Sequence, residues 1–319
     1  MIHTANFYLT LSEEEIGLLC GKFKVEISLL SKKVDRQFDG MFKTTFTRRF
    51  GTWWMFLKVD FTIMLDKADI VETDLPNIKR SITQYLFFLF GDNDKELTMT
   101  RLDYCYNAVV KDVEQRKLLL WLLKKTADKY NRKKKNRKFK TSIYFNSLSV
   151  KILLYDKIVE REDKLLDARP YEENVIRLEV SLQNRHFNYM KKYHGITKKF
   201  ENYFTKDFWE KYMVNHVSPI FHQGDFYKID QATKIIGEND IKEKHKINLR
   251  EFLRDVSIYN FEGIKKIQRV TAKGKQTPKY SKYKVKQFIE FLEGMGIHPI
   301  PIPKHKLGNK KYMENPFRF

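Results

Sequence analysis

The chain has 319 residues, and its 61 Lys and Arg outnumber 40 Asp and Glu, giving a formal net charge of +21. Hydrophobic residues at 42% and aromatic residues at 14% exclude a disordered chain. The longest apolar run, residues 85–90, is far shorter than the roughly 20 residues of a membrane-spanning helix. The excess of positive charge suits a polyanionic partner: nucleic acid is the first candidate and an anionic membrane surface the second.

Two features predict the compartment. The first fifteen residues show no basic segment followed by an apolar block, so no signal peptide is expected. Cys20 and Cys105 lie far apart without metal-ligand spacing, which predicts free thiols in a reducing compartment. We therefore expect a cytoplasmic protein.

The first 65 residues predict strands and one short helix. Residues 4–10 favour a strand, and Ser12 with Glu15 forms a capping-box pattern that begins a helix. Alternation favours three further strands, at residues 22–30, 42–50 and 54–65. In the last of these, apolar side chains alternate with polar ones, and Asp60 lies on the polar face.

The next segment alternates helices with a strand. A proline in the first turn predicts a helix over about 74–91. Residues 97–108 predict a strand that places Arg101 and Asp103 on one face, because side chains alternate along a strand. An amphipathic helix is expected over 112–130.

The densest basic run of the chain lies at residues 131–140. It is interpreted either as a solvated loop or as a loop that contacts phosphates, and lysine-rich backbone contacts would supply affinity without sequence specificity. The residues that would bind DNA there are Arg132, Lys133, Lys134, Lys135, Arg137, Lys138 and Lys140.

Residues 141–160 predict two short strands joined at Asn146 and Ser147. The second strand is expected to end in Tyr155-Asp156-Lys157, with Tyr155 and Lys157 on the same face. A tyrosine that leaves a buried strand beside a cation is a candidate nucleophile, although most strand tyrosines are packing residues.

The last predicted strand covers residues 174–183 and carries Arg177 and Glu179 on one face. Beyond it the pattern becomes helical, with basic faces from about residue 226. We therefore expect a catalytic domain over 1–225 and a basic, helical DNA-binding domain over 226–319, with a winged-helix-like arrangement as one form that it could take.

Three predicted strands each place an acid on an otherwise apolar strand: Asp60, Asp103 and Glu179. Ion pairs between neighbouring strands would give the same pattern. A cluster of carboxylates is also what Mg²⁺ or Mn²⁺ requires. With such a metal, Tyr155 would attack a phosphate while Lys157 or an arginine stabilised the transition state.

The chain has no H-E-x-x-H or Cys/His metal spacing and no Walker-type phosphate loop. An NTP-driven motor is therefore not expected within this chain.

Three segments in order, at residues 99–108, 141–160 and 175–187, resemble motifs of one family. They are similar to the replication initiators of filamentous phages and related plasmids, the gene II/X type, and to the Rep_trans group of plasmid rolling-circle initiators. The shared pattern is an R-x-D strand, a strand ending in Y-x-K-x-x-E, and an R-x-E strand.

The resemblance implies an α+β fold, an antiparallel sheet with helices packed on one face, plus a smaller, mostly helical C-terminal domain. It places the nucleophile on Tyr155, with Lys157, Arg101 and Arg177 as catalytic cations. The metal ligands, for Mg²⁺ or Mn²⁺, would be Asp103, Glu179 and, by a shorter match, Asp60.

The implied activity is sequence-specific nicking and rejoining of one DNA strand through a 5′-phosphotyrosine in a bacterial host. The implied partners are double-stranded origin DNA, single-stranded DNA, and a helicase and a polymerase of the host. A homodimer is left open. Two departures stand out: Asn107 replaces an acid that the group often has, and the histidine pair of the wider HUH endonucleases is missing.

Three alternatives belong to other classes. The protein could bind an origin or operator without catalysis, or it could be a metal-dependent nuclease that uses water. The basic run at 131–140 could instead bind a membrane surface.

Overall fold

A computed structural model of the protein describes residues 1–92, 95–125, 133–134, 142–272 and 274–318, with the backbone alone at 133–134. Eight strands form one sheet in the order β2-β3-β1-β4-β8-β7-β6-β5. These strands are β1 (Ile2–Leu11), β2 (Phe42–Arg49), β3 (Thr52–Asp60), β4 (Thr98–Val109), β5 (Lys133–Lys134), β6 (Ser142–Asn146), β7 (Val150–Asp156) and β8 (Val175–Gln183).

Helices connect and follow these strands. They are α1 (Glu13–Phe23), α2 (Ile27–Asp35), α3 (Phe61–Leu65), α4 (Leu75–Phe90), α5 (Val113–Leu123), α6 (Lys157–Asp163), α7 (Asn184–His194), α8 (Lys206–His216) and α9 (Ser218–Phe221). Within the residues that the structure describes, no helix has the length and apolar character needed to cross a bilayer.

The C-terminal region is mostly helical. Its elements are β9 (Phe226–Tyr227), α10 (Ile229–Glu238), α11 (Glu243–Ile264), β10 (Gln268–Val270), β11 (Gln276–Pro278), α12 (Lys282–Gly294) and β12 (Tyr312–Met313). Helix α11 is kinked at Asn260, whose backbone has φ +58°. The predicted fold class, an α+β antiparallel sheet followed by a helical region, is confirmed.

The chain divides into two compact units. The first unit comprises Met1–Asn107, Ser147–Ile152 and Leu178–Tyr212, and the second comprises Ala108–Asn146, Leu153–Arg177 and Met213–Phe319. The predicted division of function at residue 225 stays a prediction, because compactness does not decide which segment carries which activity.

Strand β1 organises the sheet of the first unit. It lies between β3 and β4 and pairs antiparallel with both. Phe7 of β1 stands opposite Leu57 of β3, and both side chains are buried. Because apolar side chains of neighbouring strands meet on one face, the alternation read from the sequence also fixes the register of these strands.

The amino-terminal helices differ in part from the sequence prediction. The capping box is present, since Ser12 Oγ accepts from Glu15 N at 3.1 Å and Glu15 Oε2 accepts from Ser12 N at 2.7 Å. The strand predicted at residues 22–30 is wrong. Lys24 adopts a left-handed conformation (φ +53°) that ends α1, and α2 begins three residues later.

The strand predicted at 54–65 is shorter than expected. Strand β3 ends at Asp60, whose Oδ1 accepts from the backbone N–H groups of Thr62 and Ile63 at 3.1 and 3.2 Å. Asp60 is therefore the N-cap of α3. Its side chain accepts from the first free N–H groups of that helix. A helix therefore begins at Phe61, although the apolar alternation of a strand continues in the sequence.

His298 is a fully buried histidine in the C-terminal region. Its Nδ1 accepts from Ile300 N at 3.1 Å, so Nε2 carries the proton and donates to Phe221 O at 2.7 Å. Burial, aided by nearby His222, lowers the pKa of His298 to about 3. The neutral ring thus serves as a hydrogen-bonding bridge inside the core.

This histidine should make the protein sensitive to acid. The unfolded chain protonates it near pH 6.5 and the folded protein only near pH 3, so stability is lost as the pH falls through this window. Between pH 7 and pH 5 the loss from this residue should be at most about 2 kcal/mol. Urea unfolding at both pH values should show a smaller loss for His298→Gln, and His305→Gln, an exposed control, should behave like wild type.

Candidate functional site

A β-bulge places His3 in the first unit. Ile2 pairs with Tyr104 and Thr4 pairs with Asp103, so β1 has one extra residue, His3, between these two pairs. An extra residue of this kind re-aims a side chain, and such bulges are frequent next to active sites. Sequence reasoning missed His3, because simple alternation carries no signal of a bulge.

His3 lies between two of the predicted acids. Its Nδ1 lies 2.9 Å from Glu179 Oε1, and its Nε2 lies 3.7 Å from Asp60 Oδ2. The side chains of all three are largely buried, with exposed fractions of 14% for His3, 17% for Asp60 and 6% for Glu179. The ring therefore links the two carboxylates through opposite edges.

This arrangement changes the titration of Asp60. Burial alone would raise the pKa of Asp60, but the charge of His3, the Thr62 hydroxyl and the Ile63 N–H lower it below its usual range. The carboxylate is thus held in its charged form.

The third predicted acid, Asp103, is engaged on both oxygens. Arg101 Nε donates to Oδ1 at 2.8 Å, and the Thr4 hydroxyl donates to Oδ2. Thr4 stands opposite both Asp60 and Asp103 in the strand register, so these two acids flank β1, Asp60 from β3 and Asp103 from β4. Arg101 and Asp103 share a face, as predicted, but they pair within one strand rather than across strands.

The donor set fits a hard cation in its chemistry, because it offers carboxylate oxygens with an imidazole beside them. The acids are instead engaged in separate contacts, since His3 lies between Asp60 and Glu179 while Asp103 bonds to Arg101 and Thr4. Across residues 1–92, 95–125, 142–272 and 274–318, no three or more His, Cys, Asp or Glu side chains are grouped so that they could hold a metal ion.

The second unit holds Tyr155 near the end of β7, with an exposed fraction of 6%. Asp156, the next residue, caps α6 by accepting from Ile158 N at 3.1 Å, and it accepts from Arg116 Nε at 3.2 Å. The strand therefore ends at Asp156, so the expectation that Lys157 continues it is wrong: Lys157 is the first residue of α6. Its Nζ still lies 5.8 Å from the centre of the Tyr155 ring.

Lys157 belongs to a buried ionic cluster. Its Nζ lies 3.0 Å from Glu160 Oε2 and 3.3 Å from Glu172 Oε1. Arg161 donates to both oxygens of Glu172 at 2.7 Å. Burial alone would raise the pKa of Glu172, yet Arg161, Lys157 and the Arg169 N–H lower it to about 2. Glu172 was missed in the sequence because its partners lie up to 15 residues away.

Arg116 anchors the other side of Tyr155-Asp156-Lys157. The buried guanidinium donates to Val110 O at 2.6 Å and to Asn174 Oδ1 at 2.8 Å, in addition to Asp156. The two residues that follow the candidate nucleophile, Asp156 and Lys157, are thus both held by charged hydrogen bonds.

Of the remaining predicted site residues, Arg177, Lys133 and Lys134 lie in the described part of the chain and five others do not. Arg177 has no exposed surface, and β8 is buried along almost its whole length. Lys133 and Lys134 form β5 and pair with Asn146 and Phe145 of β6. Five of the predicted DNA-binding residues lie outside the described part of the chain: Arg132, Lys135, Arg137, Lys138 and Lys140.

Residues 86–207 match the Phage_CRI family model, which describes the N-terminal region of a phage replication-associated protein of the gene II type. The match covers the R-x-D strand, the Tyr155 hairpin and the R-x-E strand, and Asp60 precedes it. It confirms the resemblance to replication initiators of the filamentous-phage gene II type. No curated protein matches the chain.

The contact between His3 and Asp60 can be tested by substitution of His3. Replacing His3 by Gln removes the charge that lowers the pKa of Asp60, so this pKa should rise. Carbon-detected NMR titration of the Asp60 carboxyl in selectively labelled protein measures the change. His305→Gln should leave the Asp60 titration unchanged; an unchanged Asp60 in His3→Gln would contradict the contact.

Proposed function

We propose that this replication-associated protein initiates rolling-circle replication by nicking and rejoining one strand of DNA. The match over residues 86–207 carries the proposal, because Tyr155, Asp103 and Glu179 all fall within it. The net charge of +21 supports a nucleic-acid substrate. A phage or plasmid replicon in a bacterial cytoplasm is the proposed setting.

In the proposed reaction Tyr155 Oη attacks the scissile phosphorus. The Oη–P bond forms as the P–O3′ bond breaks, the tyrosine loses its proton, and the 3′ oxygen gains one. The 5′ phosphate is then held on the protein, and the free 3′ hydroxyl can prime synthesis by a host polymerase. Rejoining is the reverse step, so no external energy source is required.

Cationic help is necessary because free tyrosine titrates near pH 10. Lys157 is the proposed cation, and its position 5.8 Å from the ring supports this role. Its ion pairs with Glu160 and Glu172 partly neutralise its charge, so its field at the phenol is weaker than that of a free lysine. Arg101 and Arg177 are the other proposed cations, and the side chain of Arg101 is 37% exposed.

We propose Asp60, Asp103 and Glu179 as ligands of Mg²⁺ or Mn²⁺, with His3 beside them. A bound divalent cation would withdraw charge from the scissile phosphate. The donor chemistry supports this assignment, as does the strand register, in which Asp60 on β3 and Asp103 on β4 flank Thr4 of the intervening strand β1. A host helicase, origin duplex, single-stranded DNA and a second copy of the chain are proposed partners.

The proposal predicts a covalent adduct. Wild-type protein with Mn²⁺ and a supercoiled replicon should give nicked circles and protein attached to DNA on a denaturing gel. Tyr155→Phe should abolish both, with a loss of at least about 10³-fold in nicking, because the phenol oxygen is the nucleophile.

Tyr189→Phe is the matched control, since Tyr189 lies on α7 with 52% exposure and should nick like wild type. Nicking without an adduct would favour a nuclease that uses water. Binding without nicking, by wild type and variant alike, would favour an origin-binding protein without catalysis.

A further inference from the structure

The hairpin of β10 and β11 in the C-terminal region has no buried side chain on its strands. The strands pair antiparallel from Gln268 opposite Pro278 to Val270 opposite Gln276. Five of the six strand residues are exposed, and Thr277 is half-buried. An isolated hairpin of this size is at best marginally stable in water. Its conformation must therefore be stabilised by contacts other than the packing of its own strands.

The base of this hairpin is fixed to α11. Lys279 Nζ lies 2.6 Å from Asp255 Oδ2 and 2.8 Å from Glu251 Oε1, and the Tyr280 hydroxyl donates to Asp255 at 2.7 Å. The Tyr280 ring also packs against Phe252. The hairpin is therefore held at its base while its strands remain in solvent.

All charged residues of the hairpin and its flanks are basic. Residues 263–289 contain nine Lys and Arg and no Asp or Glu, whereas the whole chain has 61 against 40. Lys279 is neutralised by the acids of α11. Lys266, Arg269 and Lys275 are exposed, and no acidic side chain in the described residues pairs with them.

We propose that this hairpin binds duplex DNA, with Lys266, Arg269 and Lys275 contacting phosphates. A two-stranded ribbon fits the major groove, which is about 12 Å wide. Val270 is 68% exposed and gives the ribbon an apolar side chain for contact with sugars or base edges. The inference rests on the proposal that the protein acts on DNA, and it names the element that grips the duplex.

The test is the salt dependence of duplex binding by the full chain. Fluorescence anisotropy with a labelled duplex of arbitrary sequence should give a slope of log K against log salt that is smaller by about 2 for Arg269→Gln/Lys275→Gln, since each lost phosphate contact removes about one unit. The affinity should fall by at least about ten-fold at moderate salt.

Lys304→Gln/Lys306→Gln is the matched control, because both lysines are exposed and the net charge changes equally. It should bind almost like wild type; an equal loss in both variants would show that only net charge matters and would overturn the proposal. Tighter binding to phosphatidylserine vesicles than to duplex, lost in the hairpin variant, would assign the hairpin to membranes and would also overturn it.

The nicking assay separates this inference from the proposed function. The hairpin variant should still form the covalent adduct with a short single-stranded substrate. A wild-type protein that binds duplex through the hairpin and never forms the adduct would overturn the nicking proposal alone. A hairpin variant with unchanged duplex affinity, beside a wild type that forms the adduct, would overturn the hairpin alone.

Discussion

Every buried carboxylate of the two candidate clusters needs a donor or a cation, because an uncompensated buried charge is strongly destabilising. Asp103 has Arg101 and Thr4, and Glu179 has His3. Asp156 has Arg116, and Glu172 has Arg161 with Lys157. This requirement determines which side chains flank the strands that carry the family motifs. It also explains why an acid in an apolar strand can be interpreted from the sequence either as half of an ion pair or as a metal ligand.

The strands were predictable because apolar side chains alternate over long stretches: β1, β2, β4 and β8 lie close to their predicted bounds. Where a predicted strand is too long, a helix cap is the reason. At Asp60 three donors, the N–H groups of Thr62 and Ile63 and the Thr62 hydroxyl, favour a helix over a longer strand. Alternation continues through this point in the sequence, so it could not reveal the change.

The candidate residues show the same limit. Arg101, Asp103 and Tyr155 were found because they stand in short motifs on single strands. His3 could not be found, since the bulge that turns it toward Asp60 and Glu179 depends on pairing with β4. Glu172 joins Lys157 only after the chain has turned back through α6. Contacts between distant segments are set by tertiary structure, and one sequence does not contain them in readable form.

The central claim is that Tyr155, one of 17 tyrosines, becomes covalently bound to DNA. Mass spectrometry of peptides from the nuclease-trimmed adduct tests it most directly. We expect the nucleotide on the peptide that contains Tyr155-Asp156-Lys157, attached to the tyrosine. A nucleotide on any other tyrosine, or on a serine or lysine, would contradict the account even if the protein nicks DNA efficiently.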